Sequence, residues 1–345
     1  MMIGPSLPAP LDVAARAVVN HPDQRSGWMI VVVATLRTPP DVDRLVETVP
    51  LTTARLGRGA WLAGTANPVL TVEGDPLAAP ELWRPLRLAD EAPLRVVVSG
   101  HRVALAGHHA AFDGRSLLAL LRLLGGDEPL PSRTGTTARE DGPRSPGGSG
   151  GGALTRLLRP ADRVAPSASA PAAEARAWQS VQLRGPAVTA RVVAAATQAV
   201  GAHNRARGAR WRRAGISVGL GGPPGVGNLA TYRRIDLDLA RARDITSAVE
   251  AGIAAGGPGP AELRRAPRAL RLLAPVVGRL SDSFLVSNLG RVSSTAIGDV
   301  VFFPVARGRS AVAFGAVGST LSLRARDLSP VDAASLLEAT VEALA

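Results

Sequence analysis

Cysteine is absent from this 345-residue chain. That excludes disulfides, thiolate metal sites and cysteine nucleophiles, and it fits a reducing compartment. Lysine is absent too, so all 40 basic residues are arginines and the formal net charge is +12. With Ala, Gly and Pro also abundant, part of this reads as coding bias. The charge still favours anionic partners: nucleic acid, coenzyme A phosphates or an acidic carrier protein. Aromatics make up only 3% of the residues, which leaves little for base stacking, and the arginines are dispersed without a recognised nucleic-acid motif. No nucleic-acid partner is expected. Long apolar runs are lacking: "WMIVVVATL", Trp28 to Leu36, is far too short to span a bilayer and reads as a buried strand. The N-terminus has no basic region followed by an apolar core, so no signal peptide is expected and the cytoplasm is the default. No repeat at solenoid spacing occurs.

What is present reads as alternating strands and helices. A short helix follows Pro39-Pro40 at "DVDRLVETV". "PLRVVVSGHRVALAGHH" predicts a hairpin with its turn at Ser99-Gly100, and "RSLLALLRLL" predicts a helix after Asp113-Gly114. Residues 131–152 are rich in Gly, Ser, Pro and Thr, and a second Ala/Pro-rich stretch runs from about Pro160 to Pro171. Beyond it, "AVTARVVAAATQAVGAHNRA", "ARDITSAVEAGIAA" and "PAELRRAPRALRLLAPVVGRL" predict helices. "AGISVGL", "YRRIDLDL", "SFLVSNLG", "VVFFPVA" and "AVAFGAVGSTLSLRA" predict strands. A closing helix has Ser329 as its N-cap. This divides the chain into an N-terminal lobe over 1–130, a flexible linker over 131–175 and a C-terminal lobe over 176–345.

Short motif matches are weak. "GVGNLA" fits a dinucleotide fingerprint in letters, but a strand rather than a helix follows. "GGSGG" lies in the linker without the strand and helix of a nucleophile elbow. "HPD", from His21, has a strand after it where a J-domain loop needs a helix. The cluster "RARGARWRR", Arg205 to Arg213, reads as a solvated face, with a phosphate or carrier-docking patch as the alternative. His108, His109 and Asp113 make a poor metal site. Adjacent strand residues point to opposite faces, and a third placed ligand is not evident.

The informative stretch is "LAGHHAAFDGRSLLALL", Leu105 to Leu121. Histidine titrates near neutral pH and suits the base for an attacking hydroxyl or amine. Alternation lets one of the pair face a site while the other shapes the loop. Asp113 is an N-cap candidate for the following helix. Gly114 permits a tight turn, and its N–H can serve a developing oxyanion.

"HHAAFDG" resembles the H-H-x-x-x-D-G motif of the chloramphenicol acetyltransferase-like superfamily. That superfamily includes nonribosomal peptide synthetase condensation domains, polyketide-associated acyltransferases, wax ester synthases and plant BAHD acyltransferases. "PLRVVV", "GVGNLATYRRIDLDL" and "LVSNLGRV" resemble further segments in family order, from Trp28 to the C-terminus, and the bacterial branches are the better match because the plant DFGWG signature is absent. The resemblance implies an α/β (α+β) fold of two lobes, each a mixed sheet with packed helices, forming a V around a central tunnel. It implies an acyltransferase moving an acyl group from a thioester to a small-molecule amine or hydroxyl acceptor. The donor is an acyl-CoA or an acyl-carrier protein's phosphopantetheine arm. His109 is the general base, His108, Asp113 and Gly114 support it, and Ser287, Asn288 and Gly290 lie near the tunnel. No tightly bound cofactor or metal is implied, and a monomer is expected. The chain departs from the family in being shorter and in having Gly221-Gly222-Pro223 where an arginine often pairs with the motif aspartate. Arg95, Arg233 or another arginine stands in. These departures motivate an alternative: a non-catalytic module that binds a carrier protein or another enzyme.

Overall fold

The structure is a computed structural model that describes residues 13–19, 27–55, 68–88, 91–126, 158–169, 174–220, 231–242, 244–255, 281–306 and 312–345. The segments 131–157, 221–230 and 260–280, which hold most of the expected linker, "GVGNLA", Gly221-Gly222-Pro223 and one expected helix, lie outside the described residues.

Two mixed sheets carry the molecule. The first has the strand order β2-β3-β4-β1-β9, built from β1 (Met29–Leu36), β2 (Val69–Thr71), β3 (Leu94–Ser99), β4 (Arg102–His108) and β9 (Ile297–Phe303). The second has the order β5-β11-β10-β8-β6-β7, from β5 (Ala175–Ser180), β6 (Arg213–Leu220), β7 (Thr231–Asp238), β8 (Phe284–Asn288), β10 (Val312–Val317) and β11 (Thr320–Ala325). The β3–β4 hairpin turns at Gly100, as its spacing predicts, with φ +51° at that glycine. β9 belongs to the second half of the sequence yet pairs antiparallel with β1, Val32 opposite Phe302. The two sheets are therefore not the two halves of the chain.

Alternation sorts the core. On β1, Ile30, Val32 and Ala34 pack under α2 (Val42–Arg55) and α4 (Gly114–Leu124). Met29, Val31 and Val33 face the other way, toward Leu82 of α3 (Pro80–Trp83) and Phe303. A first helix, α1 (Val13–Val19), adds Ala15 and Val18. Both faces of β1 are thus covered, which accounts for the unbroken apolar run. In the second sheet Ile216, Val218, Val286, Phe314 and Leu323 pack against α5 (Val188–Ala206) and α7 (Pro330–Glu342). α6 (Ile245–Ala254) sits beside α5, with Val249 fully buried. Ser329 caps α7 by accepting from the Asp332 N–H at 3.1 Å.

The stretch from 158 to 169 differs from the flexible linker expected over 131–175. Val164 is buried in the second core, and Asn204 of α5 accepts from the Ala165 N–H at 2.9 Å and donates to the Arg163 carbonyl at 2.7 Å. A buried amide side chain satisfies this backbone, which is what lets a Pro- and Ala-rich strip lie down on a lobe.

Candidate active site

β4 ends at His108, and the chain then turns through Ala110–Phe112 into α4. The His109 N–H donates to the Trp28 carbonyl at 2.6 Å, so the residue is pinned to the start of β1. Trp28 has φ +45° and is 3% exposed. A bulky side chain in the left-handed region costs about 1–3 kcal/mol. Its indole stacks on the His109 ring, centroids 6.3 Å apart at 27°, so the strained residue is one wall of the histidine's seat.

His109 itself is 3% exposed. Its Nδ1 lies 3.0 Å from the Phe112 carbonyl. A carbonyl only accepts, so Nδ1 carries a proton, and in the neutral imidazole Nε2 keeps its lone pair. Nε2 lies 2.7 Å from the Tyr232 hydroxyl of β7. That contact crosses from the first sheet to the second. His108 points away from it. It is 8% exposed, and burial, with the charge on His109 adding, pushes its imidazole down to about 4 from an ordinary 6.5. Its Nδ1 accepts from the Ala110 N–H at 3.2 Å. The pair separates as strand alternation requires.

Asp113 is the N-cap of α4, its Oδ1 accepting from the Ser116 N–H and hydroxyl, both at 2.8 Å. Arg95 is engaged elsewhere: it donates to the Glu81 and Arg84 carbonyls at 2.6 and 2.7 Å and pairs with Glu91 at 3.1 Å. Arg233 pairs in register with Val218, on the helix-covered face of its sheet. Neither is placed to hold Asp113. Gly114 lines the cleft, and the reason for glycine there is space rather than a turn. A Cβ would come within 2.8 Å of Leu289 and 2.9 Å of Phe302.

The second sheet meets this loop along a row of small residues. Tyr232, Gly219, Ser287, Gly315 and Ser322 are successive register partners and share one face. A Cβ on Gly219 would stand 2.8 Å from Ser287 Oγ. The Ser322 hydroxyl donates to the Phe302 carbonyl of β9. With no bulk in the middle of the row, β9 lies close on the sheet and the phenol at its end reaches His109. The resulting cleft is narrow, with free space of only about 30 Å³, and is lined by His109, Gly114, Arg115, Tyr232, Ser287 and Asn288 among others. Gly290 is not part of that lining. At φ +81° it makes the turn after β8, its N–H donating to Asn288 Oδ1 at 2.8 Å. Asn288 also donates to Thr189 Oγ1 of α5 at 3.1 Å, which ties the strand end to the helix. Tyr232 is the residue that sequence reasoning passed over. The available signal was its being the one tyrosine in 345 residues.

Among the described residues no group of three or more acidic or histidine side chains is arranged to hold a metal ion, and no helix is long and apolar enough to cross a membrane.

No protein-family model matches the sequence, and no curated protein matches it. Solved structures do. The first condensation domain of the calcium-dependent antibiotic synthetase, in complex with a substrate analogue, superimposes with a TM-score of 0.62 at 16% identity, over 99% of this chain and 96% of that one. The starter condensation domain of rhizomide synthetase, in a mutant form complexed with C8-CoA and Leu-SNAC, gives 0.60 at 12% identity, over 99% and 93%. The epimerization domain from the third module of tyrocidine synthetase B gives 0.54 at 13%, over 93% and 91%. At these identities the likeness is one of fold, and it spans both sheets. The chain has the two-lobed, chloramphenicol acetyltransferase-like fold of the condensation domains of nonribosomal peptide synthetases.

Proposed function

We propose that this protein is an acyltransferase of the condensation type. It moves an acyl group from a thioester to an amine or hydroxyl acceptor, with His109 as general base. The observation that carries the reading is the orientation of His109. Its Nδ1 is committed to the Phe112 carbonyl, and its Nε2, the lone-pair nitrogen of the neutral ring, meets the Tyr232 hydroxyl in the cleft between the two sheets. A base needs that tautomer and that position. A relic that only bound a partner would have no use for it, so the catalytic reading is preferred to the non-catalytic module.

The acceptor's X–H proton leaves toward His109 as X attacks the thioester carbonyl. Charge gathers on the carbonyl oxygen, and the Gly114 amide at the head of α4 is the donor we assign to it, aided by the positive end of the helix. Collapse expels the thiol, which recovers the proton. Acyl-CoA and an acyl-carrier protein's phosphopantetheine arm share the thioester this needs. The C8-CoA bound to the rhizomide domain supports the first, and the net charge of +12 suits the phosphates of either. Neither is a resident cofactor. Ser287 and Asn288 are proposed to line the acceptor's path, and the two lobes to enclose a tunnel open to donor and acceptor from opposite faces.

The test is thiol release from a panel of acyl-CoA and acyl-pantetheine thioesters, with and without small amines and alcohols. The wild-type chain is expected to release thiol only when a suitable acceptor is present. His109→Ala is expected to lower kcat by about 10²–10⁴-fold, the range for a lost general base, with an unchanged circular-dichroism spectrum. Turnover by the variant at the wild-type rate removes His109 from the mechanism.

A further inference from the structure

Nε2 of an imidazole has one lone pair, in the ring plane. Here Tyr232 takes it. The Phe112 carbonyl holds the proton on Nδ1, so the contact at 2.7 Å runs from the phenolic O–H to Nε2. A second donor cannot use that lone pair at the same time. The acceptor's proton therefore reaches His109 only if the phenol leaves or if the proton passes through it.

The surroundings favour the second route. The phenol stands edge-on to the imidazole, centroids 6.1 Å apart at 88°, and its body packs against the cluster of Leu285, Ala306 and Ala313. Its base is fixed in β7 opposite Gly219. Gly219 has no side chain to lift the ring, and the neighbouring Ser287 lies beyond it on β8. A ring held on an apolar bed and seated on a strand is placed rather than parked. Once its proton is shared with Nε2, the phenolic oxygen still has lone pairs for an incoming hydroxyl or amine.

We propose that Tyr232 is a catalytic relay, the hydroxyl through which His109 withdraws the acceptor's proton. The proposal rests on the acyl-transfer reading. In the step, the acceptor's X–H bond breaks and its proton goes to the phenolic oxygen while the phenolic proton goes to Nε2. The X–C bond forms and the carbonyl pair moves onto oxygen. Tyrosine is neutral before and after, and the imidazolium holds the proton. When the tetrahedral adduct collapses, the carbonyl re-forms, the C–S bond breaks, and the thiolate takes the proton back along the same route. No oxidant, metal or further reactant is needed.

Tyr232→Phe keeps the ring and its apolar bed and removes only the oxygen. With a donor and acceptor pair that the wild-type chain turns over, the variant is expected to lose about 10²-fold in kcat. The double variant Tyr232→Phe/His109→Ala is expected to be no slower than His109→Ala alone, because groups acting as a unit do not add. A readout independent of turnover is ¹⁵N NMR of the histidine side chains. The Nε2 resonance of His109 should move in Tyr232→Phe, while Nδ1 stays protonated. A rate in Tyr232→Phe equal to wild type overturns the relay and leaves the phenol structural. A faster variant overturns it in favour of a hydroxyl that blocks the base. An acyl adduct on Tyr232, found by peptide mass spectrometry after incubation with thioester alone, overturns it in favour of a nucleophile. A wild-type chain that releases no thiol from any donor removes the acyl-transfer reading itself, an outcome distinct from all three.

Discussion

The two histidines divide their labour through burial. His109 turns its Nε2 to the Tyr232 hydroxyl in the cleft, and His108 is locked neutral behind it, its Nδ1 accepting from the Ala110 N–H. That bond needs an unprotonated Nδ1. Protonating His108 therefore breaks it and charges a buried ring. In the unfolded chain the same imidazole binds a proton near 6.5, whereas in the fold it resists until about 4. Between those values the unfolded state holds more protons, so stability is in place above 6.5 and erodes as pH falls toward 4. The full erosion amounts to about 3 kcal/mol from this group. Urea unfolding of wild type and His108→Asn across this window should show the wild type losing more stability than the variant by roughly that amount. Parallel pH profiles for the two proteins would sink the assignment. At this scale the sequence was informative: two adjacent histidines before Asp-Gly implied one inward and one outward ring, and Asp113 reads as an N-cap on either view. Gly114 was legible as necessary but for the wrong reason, because the space it vacates belongs to Leu289 and Phe302, distant in sequence.

Elements were legible where their signal is local. The β3–β4 hairpin, α4 and the Ser329 cap follow from period and capping residues within a few positions. What the pattern could not carry is partnership between distant strands. "VVFFPVA" reads as a strand, yet nothing in it says that it joins the first sheet beside β1 while its neighbours in sequence build the second. The contact of Tyr232 with His109, 123 positions apart, depends on that exchange. Glycine spacing holds part of the missing information. A Cβ on Gly315 would clash with the Phe302 carbonyl and reach 2.7 Å from both Pro304 and Ser322 Oγ, whereas one on Gly318 would meet nothing, its constraint being φ +55° alone. Gly318→Ala should cost about 1–2 kcal/mol, the penalty of a left-handed alanine. Gly315→Ala should cost more, since overpacking alone runs to about 1–3 kcal/mol and here backbone must move. It should also lower activity by lifting β9 from the sheet. Thermal melts of the two variants decide it: equal losses would mean that the sheets are not in close contact at β9.

At the scale of the molecule, 40 arginines and no lysine form more than a surface charge. Among the described residues, two buried guanidinium groups work inside. Arg95 ties Glu81, Arg84 and Glu91 to β3, and Arg324 ties the second sheet to the first. Arg324, on β11 and 2% exposed, pairs with Glu174 through Nη2 at 2.5 Å and donates through Nη1 to the Met29 carbonyl of β1, also at 2.5 Å. Beside it the Arg176 guanidinium lies 3.9 Å over the Trp83 ring. A fork with several fixed donors and a permanent charge can grip a carboxylate and a carbonyl together, which an ammonium does less well. The grip falls on the residue next to Trp28, whose carbonyl and indole position His109. Arg324→Leu leaves the partly exposed Glu174 carboxylate without its cation, a loss below the about 3–5 kcal/mol of a fully buried pair. Adding Glu174→Leu removes that stranded charge, and a pair replaced by apolar groups is often neutral. The double variant should therefore recover most of the stability in urea unfolding. Acyl transfer should recover less, because the Met29 carbonyl is still released and the start of β1 no longer fixed. Single and double variants of equal stability would show that the pair is solvated and holds nothing. Full recovery of both stability and turnover would show that the link to Met29 has no bearing on how His109 is placed.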